Sequence, residues 1–291
     1  MIGAGQPIEK RFALDETDLC YFEWGNPSDQ TILMLHATGF HARCWDKTIA
    51  ALPGDYHVIA VDHRGHGRSG KPDSLSNWRL NARDVSRLVD GLALQNVVGV
   101  GHSMGGHVLV QVVATHQDLF DRLVLVDPTI VEREVYADAP DLAEIDPSAH
   151  PVARRRNVWD SSAQMFDHFK DRHPYSLWQP NVLMDYCEHG LLASSKGDHL
   201  ELACPPHLES SIYQGFRNTD PYPSLEQISC PVLILRAQQG EREGAMDFAN
   251  SPTWPGLATA FQSAREIHIP ELSHFMPMQD PKQIAHLIVG G

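Results

Sequence analysis

Residues 99–106 read GVGHSMGG and follow a short apolar run, QNVV, at 95–98. The run has the character of a buried strand, and a serine set between glycines at its end fits the pattern G-x-S-x-G over 101–105. In that pattern a strand turns into a helix so tightly that the serine is held in a strained backbone conformation with its hydroxyl exposed. Side chains at the glycine positions would collide with neighbouring backbone. A five-residue pattern also arises by chance in glycine-rich turns, so its surroundings matter. A strand precedes it and VLVQVVATH (108–116) supplies a helix after it, which makes Ser103 the candidate nucleophile.

A serine hydroxyl is a weak nucleophile until a base accepts its proton, so Ser103 requires a histidine and a group that orients it. Of the 17 histidines, His274 is best placed, in PELSHFMPMQDP (270–281) directly after the apolar run AREIHIP (264–270). His102 adjoins the serine, but neighbouring strand residues point to opposite faces, which suits a structural role. His63, His66, His107 and His116 show no partner pattern that requires catalysis. No H-E-x-x-H or other metal-ligand spacing is present, so neither a catalytic metal nor a cofactor is expected.

Apolar, β-branched runs recur along the chain: LCYFEWG (19–25), TILMLH (31–36), YHVIAVD (56–62), NVVGVG (96–101), RLVLVD (122–127), CPVLILR (230–236) and AREIHIP (264–270). Helical segments lie between them. In NARDVSRLVDGLALQ (81–95), Val85, Leu88, Val89 and Leu92 have the spacing of an amphipathic helix. This alternation predicts an α/β fold with a parallel sheet covered on both faces. Such sheets bind ligands at the carboxyl ends of their strands. Residues 129–225 break the alternation with scattered prolines and many aromatics, and read as several short helices forming a cap over the strand ends. This gives a core of 1–128 and 226–291 with an inserted cap. Trp159, Phe166 and Phe169 fall near one helical face and are expected to pack the cap onto the core. Trp178, in the proline-flanked HPYSLWQP (173–180), is the cap residue expected to reach a substrate, with anchoring of cap to core as its other reading.

With 291 residues, 42% of them hydrophobic, the chain can bury a sizeable core. A formal charge of −14 argues against an electrostatic grip on nucleic acid or an anionic membrane surface. The one dense basic run, Arg154–Arg156, reads as a solvated face. The opening MIGAGQPIEKRF lacks a basic segment followed by a long apolar stretch, and no run approaches the ~18 apolar residues of a membrane span. Five scattered cysteines without C-x-x-C spacing suit reduced thiols, and the expectation is a soluble cytoplasmic protein.

The set HATGFHARCW (36–45), VDHRGHGRSGKP (61–72), GHSMGG (101–106), LVLVDP (123–128) and LSHFMPMQDP (272–281), in this order across nearly the whole chain, resembles the α/β-hydrolase superfamily. The resemblance implies a mostly parallel, eight-stranded sheet with an inserted helical cap. It also implies two backbone donors for an oxyanion, at Thr38 and Met104. Ala37 stands where the family usually has glycine, which leaves Gly39 and Phe40 as substitute donors. Phe40 is further expected to touch substrate. The orienting acid has two candidate places. An Asp after the seventh strand is common in the family and corresponds to LRAQQGEREG (235–244), offering Glu241, with Glu243 and Asp247 nearby. An acid after the strand that follows the nucleophile helix, similar to that of fluoroacetate dehalogenases, corresponds to Asp127. SPTWPGLA (251–258) also resembles those enzymes. Asp62 and Arg64 are read as structural.

Dehalogenases and epoxide hydrolases of this superfamily carry Asp at the elbow, whereas a serine there forms an acyl-enzyme. The expectation is a serine hydrolase cleaving a small or medium carboxylic ester or lactone, with a small-molecule substrate, no nucleic-acid or membrane partner, and the oligomeric state left open. Carbon–carbon bond hydrolysis and perhydrolysis use the same residues and stay open, as does a ligand sensor that keeps the fold with slow turnover.

Overall fold

A computed structural model of the chain describes residues 5–75, 77–139, 146–241 and 248–290. Glu243 and Asp247, two of the acids near Glu241, lie outside the described residues. The strands are β1 (Ile8–Ala13), β2 (Asp18–Trp24), β3 (Thr31–Leu35), β4 (His57–Val61), β5 (Val97–His102), β6 (Phe120–Val126), β7 (Val158–Trp159), β8 (Leu191–Ala193), β9 (Leu200–Leu202), β10 (Val232–Ala237) and β11 (Ala264–Ile269). Eight of them form one sheet in the order β1-β2-β4-β3-β5-β6-β10-β11. β1 pairs antiparallel with β2 and β2 antiparallel with β4, while every pair from β4 to β11 is parallel. The seven apolar runs account for seven strands. β1, IEKRFA, escapes an apolar reading because this edge strand has five exposed positions out of six.

β3, β4 and β5 are buried at every position, the mark of parallel strands covered on both faces. One face packs the helix Arg79–Gly91, through Val85, Leu88 and Val89, together with the helix Met104–Thr115. The other face packs Trp45 and Ile49, from the two short helices Ala42–Trp45 and Asp46–Ala50 after β3, against Ile284, Ala285 and Ile288 of the C-terminal helix Pro281–Gly290. The sheet is thereby a rigid platform whose carboxyl edge carries the loops after β3, β5, β6, β10 and β11.

Between β6 and β10 the described chain forms helices at Arg133–Ala137, Ser162–Phe169, Pro180–His189, Pro206–Gly215 and Tyr222–Leu225. It also forms a small antiparallel sheet, β7-β9-β8, absent from the sequence reading because its strands have only two or three residues. Trp159 belongs to β7 and not to the helix that carries Phe166 and Phe169, which corrects the shared helical face. All three rings nevertheless join one apolar cluster with Phe40 and Phe275. Among the described residues no helix is long and apolar enough to cross a membrane, and all five cysteines are free.

Burial holds the six histidines that are at most 2% exposed below their ordinary range: His36 and His107 at about 4, and His41, His63, His66 and His102 well below it. The unfolded chain takes up protons near pH 6.5, about the ordinary histidine value, whereas the folded chain resists them until about pH 4 at His36 and His107. Stability therefore falls as pH drops through that interval. Buried carboxyls that burial raises, Asp62 and Glu209 among them, act in the opposite direction. With six histidines in play, the melting temperature should fall steadily from pH 7.5 to pH 5. A rise over that interval, in thermal melts followed by circular dichroism, would show that the carboxyls dominate.

Candidate active site

At the end of β5 the chain turns into the helix Met104–Thr115 with Ser103 at φ 56° and ψ −117°. The turn is tight enough that a Cβ on Gly101 would overlap the carbonyl of Gly105, and one on Gly105 the carbonyl of Leu35. Backbone bonds hold the strain: Ser103 N–H donates to Val126 O at 3.1 Å, and Ser103 O accepts from Gly106 and Thr129 amides at 3.1 Å each. Asp127, at the end of β6, is also in the left-handed region at φ 43°. Its amide donates to Leu235 O at 2.7 Å, tying it to β10.

His274, on the loop after β11, joins these two strand ends. Its Nδ1 lies 2.6 Å from Asp127 Oδ2 and its Nε2 lies 3.0 Å from Ser103 Oγ. Asp127 is wholly buried, and its other oxygen, Oδ1, accepts from Ala237 N–H at 2.9 Å, Ser251 Oγ at 2.6 Å and Thr253 Oγ1 at 3.2 Å. The histidine loop is pinned on both sides of its backbone. His274 N–H donates to Ala249 O at 3.0 Å, and His274 O lies 2.8 Å from Nε2 of His102. Burial keeps His102 neutral, so its one ring proton sits on Nε2 and donates to that carbonyl. His102 thus has the structural role read from the sequence.

Proton counting sets the direction of the remaining bonds. With Nδ1–H donated to Asp127, Nε2 is an acceptor and takes the Ser103 Oγ–H. Thr129 Oγ1, 3.0 Å from Ser103 Oγ, must then be the donor in that pair. Thr129 went unread in the sequence, and Ser251 and Thr253 were quoted only within SPTWPGLA, with no role assigned. The available signal was position: Thr129 stands two residues after the strand-end acid, and the two others flank Pro252.

The structure brings Ser103, His274 and Asp127 together and leaves Glu241 apart. Glu241 is exposed on the loop after β10, where its backbone carbonyl accepts from Asn250 Nδ2 at 3.1 Å. The N–H groups of Thr38 and Met104 have no acceptor among the described residues, and Met104 opens a twelve-residue helix whose positive end faces Ser103. Phe40 N–H donates to Ala37 O at 3.2 Å, which removes it as a substitute donor. Gly39, at φ +79°, lies against Glu209. Asp62 is buried, accepting from Ala42 and Arg68 amides at 2.7 Å each, and Arg64 makes a two-point bond to Asp84 at 2.6 and 2.8 Å. Both hold the loop after β4.

Ser103 and His274 open into a cavity of about 370 Å³ whose walls include Thr38, Phe40, Trp78, Thr129, Phe216 and Phe275. Phe40 stands in its wall. Trp178 does not line it. Trp178 is 5% exposed and packs between Phe40 at 5.6 Å, Tyr186 at 5.5 Å and Phe275 at 5.3 Å, and the tryptophan facing the cavity is Trp78. Among the described residues no group of three or more His, Cys, Asp or Glu is arranged to hold a metal ion.

A model of the alpha/beta hydrolase family matches residues 32–287. The chain is 28% identical over 269 residues to a non-heme haloperoxidase of Rhodococcus erythropolis, covering 91% of this chain and 92% of that protein. It is 25% identical over 275 residues to a bifunctional esterase/perhydrolase of Acinetobacter calcoaceticus, covering 93% and 94%. The crystal structure of E-2-(acetamidomethylene)succinate hydrolase superposes with a TM-score of 0.75 at 21% identity, covering 98% of each chain, a likeness of fold.

Two outcomes follow from this geometry. A fluorophosphonate should modify Ser103 alone, located by peptide mass spectrometry, and His274→Ala should suppress the modification; labelling of another serine at equal rate would displace Ser103. Trp178→Ala should destabilise the protein by about 3–5 kcal/mol in urea unfolding, the usual cost of truncating a buried aromatic, while leaving any substrate ranking unchanged.

Proposed function

Because the chain belongs to the alpha/beta hydrolase family, we propose that it is a serine hydrolase that cleaves a carboxylic ester or lactone of a small molecule through an acyl-enzyme. The observation that carries this reading is the unbroken line of bonds from Asp127 through His274 to Ser103, ending in a cavity. Ser103 Oγ attacks the carbonyl as His274 Nε2 takes its proton. Asp127 holds the imidazole in the Nδ1–H tautomer and stabilises the cation that forms. The developing oxyanion is received by the free amides of Thr38 and Met104, donors whose individual loss typically costs about 10²–10³-fold in rate. His274 then returns the proton to the leaving alkoxide.

Water, deprotonated by His274, attacks the acyl carbon, and the second tetrahedral species expels Ser103 Oγ, which takes that proton back from His274 as the acid leaves. The Thr129 hydroxyl, which donates to Oγ in the resting site, supports its departure. A second reading is favoured by the names of two relatives, a haloperoxidase and an esterase/perhydrolase. There hydrogen peroxide replaces water at the acyl-enzyme and a peracid leaves. The proposed residues serve both, since the two reactions differ only in the nucleophile that meets the acyl carbon. The cap, placed here at 129–225 over a core of 1–128 and 226–291, contributes Thr129, Val131, His150, Tyr213 and Phe216 to the cavity.

An ester series tests the reading. Apolar burial contributes about 0.8 kcal/mol per methylene, so kcat/KM should rise from acetyl toward butyryl esters until the cavity fills. Ser103→Ala should give no turnover. Asp127→Asn should lower kcat by about 10⁴-fold, as expected for the wrong histidine tautomer, and Glu241→Gln should leave it unchanged. Turnover that survives in Ser103→Ala would overturn the proposal.

A further inference from the structure

A second cavity, also about 370 Å³, lies beneath the cap on the far side of the loop that follows β3. It shares Thr38, Phe40, Tyr213, Phe248 and Phe275 with the first, so the two adjoin at the loop that carries the proposed oxyanion donor. Three aromatic rings, Trp159, Phe169 and Tyr175, stand in its wall. They form a continuous run of tilted contacts, with Phe169 4.3 Å from Tyr175 and 5.7 Å from Trp159.

Its wall carries an ion pair whose carboxylate is buried and whose guanidinium is half-buried. Arg155 Nη1 donates to Glu209 Oε2 at 2.6 Å, Arg155 Nη2 donates to Tyr186 Oη at 2.9 Å, and Glu209 is 3% exposed. A buried pair is a poor stabilising device, because the cost of taking two charges from water offsets their attraction and an apolar pair of the same volume often does better. The pair is therefore better explained by what it presents to the cavity. Two acceptors occupy two of the five N–H groups of Arg155. The second oxygen of Glu209, Oε1, lies against Gly39, where any Cβ would overlap it. Glycine at 39 thus lets a carboxylate oxygen sit directly behind the oxyanion loop, beside a guanidinium with hydrogens to spare.

We propose that this second cavity is the subsite for the part of the substrate remote from the scissile bond, and that it selects an aromatic ring bearing a neutral hydroxyl or amide. The proposal rests on the ester-hydrolase reading for its scissile bond. The ring stacks among Trp159, Phe169 and Tyr175, and its substituent donates to Glu209 Oε1 while accepting from Arg155. Neutrality follows from the pair itself. The two charges offset each other, so a charged substituent loses to one partner what it gains from the other, while a neutral group that both donates and accepts satisfies both; Arg156, also in the wall, is engaged elsewhere, its Nε donating to Val158 O at 2.7 Å and its guanidinium 4.1 Å from the Trp159 ring.

The test compares the methyl esters of 3-phenylpropanoate and its 4-hydroxy and 4-carboxy derivatives. The wild-type protein should favour 4-hydroxy over unsubstituted by about tenfold in kcat/KM, the size expected for one hydrogen bond to a charged group, and disfavour 4-carboxy. Glu209→Gln keeps the shape but leaves Arg155 unbalanced, so it should raise the 4-carboxy ester relative to the 4-hydroxy ester by at least about tenfold. An unchanged ranking in a folded variant would overturn the proposal. Calorimetric binding of 3-(4-hydroxyphenyl)propanamide and 3-phenylpropanamide to Ser103→Ala needs neither turnover nor a Glu209 variant. Tighter binding of the hydroxylated amide supports the subsite even if no ester is cleaved, in which case only the reaction class fails; equal affinities overturn the subsite whatever the kinetics.

Discussion

The carboxylate of Asp127 is the point on which the site depends. It is wholly buried, yet each oxygen is fully engaged, Oδ2 by His274 and Oδ1 by the amide of Ala237 and the hydroxyls of Ser251 and Thr253. A buried carboxylate without such donors would carry a desolvation cost of several kcal/mol. Because its donors come from the end of β10, the segment after it and the loop after β11, satisfying this one group also fixes where three separate parts of the chain meet. The position of His274 is a consequence of that requirement, and His102 and Ala249 hold its backbone in the same place.

Strain at the two strand ends serves the same geometry. Ser103 and Asp127 are non-glycine residues at positive φ on adjacent strands, a conformation that persists only where surrounding bonds over-determine it. Here the over-determination comes from the parallel sheet: Ser103 N–H reaches across to Val126 on β6, and Asp127 N–H reaches to Leu235 on β10. Each side chain is thereby turned toward the carboxyl edge of the sheet, into the space the loops enclose.

Over that edge Phe40, Trp178, Tyr186 and Phe275 pack into one aromatic cluster, the proposed joint of cap and core, and Phe40 and Phe275 stand in the walls of both adjoining cavities. Trp178 stabilises this joint, whereas Trp78 from the core side faces the site. The proposed division of labour follows from that placement. Chemistry belongs to residues fixed by the sheet, and selection belongs to residues supplied across the joint, with Gly39 and Thr38 in the loop that touches both.

The sequence by itself determined the sheet interior and the elbow, because both rest on short-range regularities. Fully buried parallel strands require continuous apolar runs, and the turn at Ser103 requires glycines where no Cβ fits. It also placed His274 at a strand end, since the last strand is followed directly by that loop. β1 escaped because an exposed edge strand needs no apolar pattern, and β7, β8 and β9 escaped because two or three residues carry no period. Only the tertiary structure brings Asp127, and not Glu241, within hydrogen-bonding distance of His274. Both follow strands of the same sheet, and the choice depends on which carboxylate lies within hydrogen-bonding distance of Nδ1, a contact between residues 147 positions apart. The same holds for Thr129 at Ser103 and for Trp178 behind the cavity wall: side-chain direction and packing across the cap–core joint are properties of three-dimensional neighbours, which no local pattern in the chain encodes.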